Sequence, residues 1–211
     1  MREPEPRWPA LMAALAVGLL AYILPEPMTV GPAWLPFALI AALMIPTLAY
    51  HRAGNTRLND VFGYSVLVVL TLVVASSLGL LILRLPSHAD SPGVLLRSAG
   101  AMWSANVLVF ASWYWRLDGG GPNQRVQRDE HHGAFLFPQM LMDKKLRHAL
   151  HQENWNPGFI DYLFLAFNTS TAFSPTDVPV LTRWAKIMMI VQSTISLTTL
   201  ALIAARAVNI L

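Results

Sequence analysis

Cysteine is absent from the 211-residue chain, which excludes disulfides, thiolate metal ligands and thiol nucleophiles and leaves the compartment open. Charge is scarce as well: 13% of residues are charged, against roughly 25% in soluble domains, while 55% are hydrophobic. The sequence holds no G-x-S-x-G, no H-E-x-x-H and no phosphate-binding glycine loop, because Gly119-Gly120-Gly121-Pro122 lacks the flanking strand and helix. No enzymatic activity and no cofactor are therefore expected. The net charge of +3 needs no nucleic-acid partner, since basic loops facing anionic lipid account for it.

What the chain does have is apolar residues in long blocks, which predicts an all-α polytopic membrane bundle. Five long spans are expected, at Trp8–Leu24, Ala33–Tyr50, Asp60–Leu85, Val94–Trp115 and Trp184–Leu211. Pro36 and Pro46 kink or interrupt the second, which a span tolerates when neighbours re-satisfy the freed backbone. Trp113-Tyr114-Trp115 has the composition of an interface anchor. A retained first span is expected rather than a cleaved leader, because Glu3 and Glu5 dilute the positive region and Leu24-Pro25-Glu26-Pro27 is a poor cleavage site. Ala14 with Gly18, Ala75 with Gly79, and Gly100 with Ser104 are small-residue pairs suited to close helix packing.

Twelve of the fifteen lysines and arginines fall on one side of this arrangement. The positive-inside rule then makes the N-terminus and the 117–158 connection cytoplasmic, in a plasma membrane. Three glycines and a proline end the fourth helix, and a flexible polar run is expected from there to Glu130. Phe135, Leu136, Phe137, Met140, Leu141 and Met142 beside Lys144, Lys145 and Arg147 predict a short amphipathic element on the bilayer surface. Asp60, Asp118 and Asp161 lie near span ends, where acids commonly cap helices or meet water.

Six histidines raise the question of a metal. His148 and His151 stand one helical turn apart and could share an ion, but no established ligand spacing is met, and adjacent His131 and His132 in a charged loop read as solvated side chains.

The segment from Phe159 to Phe173 would be about 22 Å long as a helix, short of the roughly 30 Å hydrocarbon core. Ser174-Pro175-Thr176-Asp177 breaks it. Two readings follow: a re-entrant pore loop, or a short packed helix whose SPTD turn caps the next one. Asn168, Thr169, Thr171, Ser174, Thr176 and Asp177 would line the first. In the last span Gln192, Ser196, Thr199 and Arg206 form a polar stripe, and Asn106 lies midway along the fourth. Such residues either hydrogen-bond between helices or face a water-filled path.

Two resemblances follow from these residues. Trp115 with Asp118-Gly119-Gly120-Gly121-Pro122, Phe135-Leu136-Phe137-Pro138-Gln139-Met140, Asp161-Tyr162-Leu163, Thr171-Ala172-Phe173-Ser174-Pro175-Thr176-Asp177 and Ala205-Arg206-Ala207-Val208-Asn209 resemble a family of bacterial polytopic membrane proteins of about this size. That likeness implies a bacterial plasma-membrane location and transfers no function. Asp161, Phe167, Thr169, Thr171 and Asp177 are weakly similar to the pore-loop module of tetrameric potassium channels, the last helix standing as the inner helix. The departure lies at the filter, where Ser174 and Thr176 replace glycines and Pro175 replaces the aromatic. Hydroxyls, with Asp177 as a charged ring, would then replace carbonyl coordination.

The chain thus divides into a four-helix region 1–116, a connection 117–158 and a pore-loop-like module 159–211. Three functions are open. A cation pathway would pass a monovalent ion and require a homo-oligomer, a tetramer by the channel likeness. A small secondary transporter would use the broken helix at Ser174-Pro175, although no internal repeat is evident. A non-conducting scaffold would bind a partner or the lipid bilayer surface.

Overall fold

A computed structural model describes residues 5–84, 91–127, 133–153, 155–171 and 178–208. They form nine α-helices: α1 (Trp8–Ile23), α2 (Leu35–Arg52), α3 (Thr56–Arg84), α4 (Pro92–Leu117), α5 (Pro122–Gln127), α6 (Pro138–Leu141), α7 (Lys144–Ala149), α8 (Phe159–Thr171) and α9 (Arg183–Val208). Among the described residues the only β-pairing is a single bridge between Phe135 and Val180. The all-α expectation is met. Four helices, α2, α3, α4 and α9, are long and apolar enough to cross a membrane. The first expected span is shorter, because Leu24-Pro25 stops α1 at 16 residues, about 24 Å of helix.

Local chemistry sets the helix ends. Proline opens α1, α2 and α4 in the first turn, where its missing N–H costs nothing. Asn55 Oδ1 accepts from the Leu58 amide at the start of α3. Asp161 accepts from the Gly158 amide at 2.7 Å and caps α8, the helix-capping use of an acid that its position suggests. Pro46 lies inside α2 without breaking it, and in the neighbouring turn the Thr47 hydroxyl donates to the Leu43 carbonyl at 2.8 Å.

The bundle has an apolar end and a polar end. At the apolar end Leu24, Met28, Leu81, Ala101 and Met102 pack together, with Leu202 of α9 against them. At the polar end Phe110, Tyr114, Trp115, Phe135, Phe159 and Tyr162 share a core with Ala13 of α1 and Ala185 of α9. Between the two, Ala14, Val17, Ile40, Leu67, Leu70 and Val109 join α1 through α4.

Helix α8 starts at the polar end, where Phe159 meets the edge of Trp115 with ring centroids 6.0 Å apart. It descends beside α9 until Ser170 reaches Ser196. By Pro179 the chain is back at the polar end, where the Leu136 amide donates to Pro179 O at 3.0 Å and the Leu181 amide to Ala134 O at 2.8 Å.

The connection departs from expectation twice. Residues 122–127, expected as a flexible run, form α5, because Pro122 opens a helical turn and Arg125 is anchored to the end of α4. Phe135 and Phe137, expected at the bilayer surface, are buried among Tyr114, Trp155, Tyr162 and Trp184. Aromatic area of that size favours a core over the headgroup layer. Exposed apolar character begins only further on, at Leu141, Leu146 and Leu150, beside exposed Lys144 and Lys145.

The two-ended arrangement predicts sidedness. Single cysteines replacing Ala53 and Lys145 are expected to take a membrane-impermeant maleimide from one side, and one replacing Val30 from the other; labelling of Val30 and Ala53 from the same side overturns it.

Candidate functional site

Two buried polar networks are the sites on which any activity has to be judged. The first closes the polar end. After Leu117 the chain must reverse within three residues, and Gly119, Gly120 and Gly121 take φ of +59°, +81° and +89°, a region that residues with side chains adopt rarely. A Cβ on Gly121 would also stand 2.8 Å from the Arg116 carbonyl oxygen. The reversal carries Arg125 back under α4, where Nη1 donates to Trp115 O at 2.6 Å and to Asp118 O at 2.8 Å. The Trp115 carbonyl, left without a backbone donor at the helix end, and the Asp118 carbonyl, which also accepts from the Gly121 amide, thus meet a cation at the negative end of the helix dipole.

Arg125 also ion-pairs with Glu5 at 2.9 Å, and its guanidinium lies 5.1 Å above the Tyr162 ring. Glu5 accepts from the Trp115 indole with its other oxygen. Asp118, 1% exposed, accepts from the Tyr162 hydroxyl at 2.6 Å and from the Ala134 amide. Beside this lies a second set: Arg7 donates to Asn59 Oδ1 and Asn123 Oδ1, and Arg116 donates to Asn59 O at 2.7 Å and pairs with Asp60 at 3.2 Å. Burial, and then the neighbouring Arg116 guanidinium, lower the pKa of Arg7 from its ordinary value.

The second network lies at mid-depth between α4, α8 and α9. Gln192 is its centre: Nε2 donates to Ala166 O and to Ser170 Oγ, both at 2.7 Å, while Oε1 accepts from the Tyr114 hydroxyl at 2.6 Å. Asn106 Nδ2 donates to the Gln192 carbonyl at 3.2 Å, Ser196 to Ser170 O at 2.7 Å and Ser193 to Thr169 O at 3.2 Å. A side-chain amide in hydrocarbon must find partners, and here Gln192 finds them on two other helices.

Of the residues expected to line a pathway, Gln192, Ser196 and Thr199 are fully buried, and the Thr169, Thr171 and Thr199 hydroxyls donate to carbonyls of their own helices. Asn168 lies near the inner end of α8. Ser174, Thr176 and Asp177 fall outside the described residues, as do His131 and His132. His148 sits beside the Glu153 carboxylate, and Glu153's own backbone N–H, followed by His148, lowers the Glu153 pKa. Among the described residues no group of three or more His, Cys, Asp or Glu could hold a metal ion.

Sequence reasoning did not foresee the polar-end network, although its signals were present. Asp118-Gly119-Gly120-Gly121, Phe135, Phe137 and Tyr162, far apart in the chain, carry one of the resemblances and meet in this one place. Compared with family models, curated proteins and solved structures, the chain finds no match, so both resemblances rest on their residues alone.

Removing Arg125 leaves Glu5 without its cation and the Trp115 carbonyl without its donor, so Arg125→Met is expected to destabilise the bundle by about 3–5 kcal/mol. Tyr162→Phe removes one hydrogen bond to a buried carboxylate and should cost about 1–3 kcal/mol. Denaturant unfolding in detergent checks the order; equal, small effects would remove the network's structural role.

Proposed function

We propose that the protein is a non-conducting membrane scaffold whose connection is clamped to one end of the bundle and presents a basic, amphipathic segment to the bilayer surface. The observation that carries this reading is the use of Gln192 and Ser196: groups that would line a pathway are spent on bonds between α4, α8 and α9. The exposed run of Leu141, Lys144, Lys145, Leu146 and Leu150 supports the lipid contact, apolar side chains entering the headgroup layer and lysines meeting anionic lipid. The basic residues gathered at the polar end support a cytoplasmic placement of that end, in a bacterial plasma membrane.

One observation favours a second reading. Both Phe159 and Pro179 lie at the polar end, and α8 reaches mid-depth from it, an arrangement that supports a re-entrant loop. In that case residues 168–177 of several copies would have to meet on an axis, and Asp177 with the hydroxyls of Thr171, Ser174 and Thr176 would face a monovalent cation.

Flux separates the two. Purified protein in liposomes is expected to pass potassium and sodium no faster than protein-free liposomes. Flux that falls on Asp177→Asn or Thr171→Val in folded protein would overturn the scaffold reading and establish the pathway.

A further inference from the structure

A cleft opens at the polar end between α1, α2, α3 and α4, with about 60 Å³ of accessible space. That is several times the roughly 10–15 Å³ that one water needs. Its wall is apolar, made by Ala14, Met44, Leu67 and Leu70 among others, and its rim carries Arg7 and Arg116. We propose that this cleft binds one anionic phospholipid, its headgroup phosphate on Arg7 and Arg116 and the start of an acyl chain against the apolar wall.

Three observations carry the assignment. Arg116 is only 5% exposed, yet its Nε has no hydrogen-bond partner, an unmet donor on a buried cation. Leaving such a donor bare is costly, and a phosphate oxygen entering the cleft would meet it with a charge-assisted bond. The rim also carries surplus positive charge. Asp60, 41% exposed, pairs with Arg116, while Glu5, which also lies close enough to act on Arg7, is shared with Arg125 and Trp115. Two cations, one anion paired with them and a second anion shared with Arg125 leave the balance positive, which suits an anionic headgroup. Lastly, the fold makes room for the guanidinium: Gly63 lies against it, and a Cβ there would stand 2.1 Å from Arg116 Cζ.

The depth profile argues for a lipid over a free anion. The arginines stand at the ends of α1 and α4, at the headgroup level, and the wall runs about two turns inward from them. Basic pockets between spans are where anionic headgroups lodge. The inference rests on the bundle lying in a bilayer and not on its being non-conducting, so liposome flux would leave it untouched.

The test uses delipidated full-length protein in a neutral detergent, titrated with phosphatidylglycerol, with phosphatidylcholine of the same chains, and with inorganic phosphate. Native mass spectrometry counts bound lipid while Tm is followed alongside. One phosphatidylglycerol is expected to be retained at least about fivefold more tightly than phosphatidylcholine, the scale of one guanidinium at a membrane surface, and Arg7→Gln should abolish the preference. Equal retention of the two lipids, or an unchanged preference in folded Arg7→Gln, overturns the site. So does a Tm rise with inorganic phosphate equal to that with phosphatidylglycerol. Should Arg7→Gln fail to fold, the contrast between the three ligands on the unaltered protein decides alone.

Discussion

The end of α4 has to be closed, and one guanidinium does it. Arg125 meets two terminal carbonyls, a carboxylate from the N-terminal segment and the face of an aromatic ring on α8. The residues that carry these groups are buried or, for Glu5, largely buried, and they come from three parts of the chain: the N-terminal segment, the end of α4 and α8. The polar end is consequently a single cooperative unit. The glycine reversal places Arg125, Asp118 then holds the strand-like stretch at Ala134, and that stretch pairs with residues 179–181 ahead of α9. Loss of any one link would weaken the others, because Asp118 and Glu5 are each shared between two of them.

The mid-depth network works by the same rule with neutral groups. Individual hydrogen bonds between membrane helices average about 0.6 kcal/mol, so they add little net stability singly. Their effect is on register. Gln192 can satisfy Tyr114, Ala166 and Ser170 together in one alignment of three helices, and sliding α9 by a turn would leave an amide unpaired in hydrocarbon. The polar stripe on α9 thereby fixes how α4, α8 and α9 lie against one another.

Much of the frame was legible beforehand because lipid leaves the backbone few choices. Long apolar blocks, the stop at Gly119–Gly121 and the short apolar helix before the last span all correspond to observed elements. The fate of Phe135 and Phe137 was not legible. A run of apolar residues beside lysines fits the headgroup layer as well as a buried core, and only the long-range bridge to Val180 decides between them. Asp118 was equally opaque. An acid at a helix end reads as a cap, whereas its partners, Tyr162 and Ala134, come from segments whose docking no local pattern announces. The stripe of Gln192, Ser196 and Thr199 was read correctly as a face and left open in purpose; partners on α4 and α8 supply the purpose for Gln192 and Ser196.

The shortness of α8 bears on how the chain is assembled during synthesis. At 13 residues it offers roughly 20 Å of helix, well below what a translocation channel releases sideways into lipid as a span. Its carbonyls at Ala166 and Ser170 gain their side-chain partners only from residues made more than twenty positions later. The half-helix is therefore expected to settle at depth only once α9 has been made, as the passenger of that longer helix.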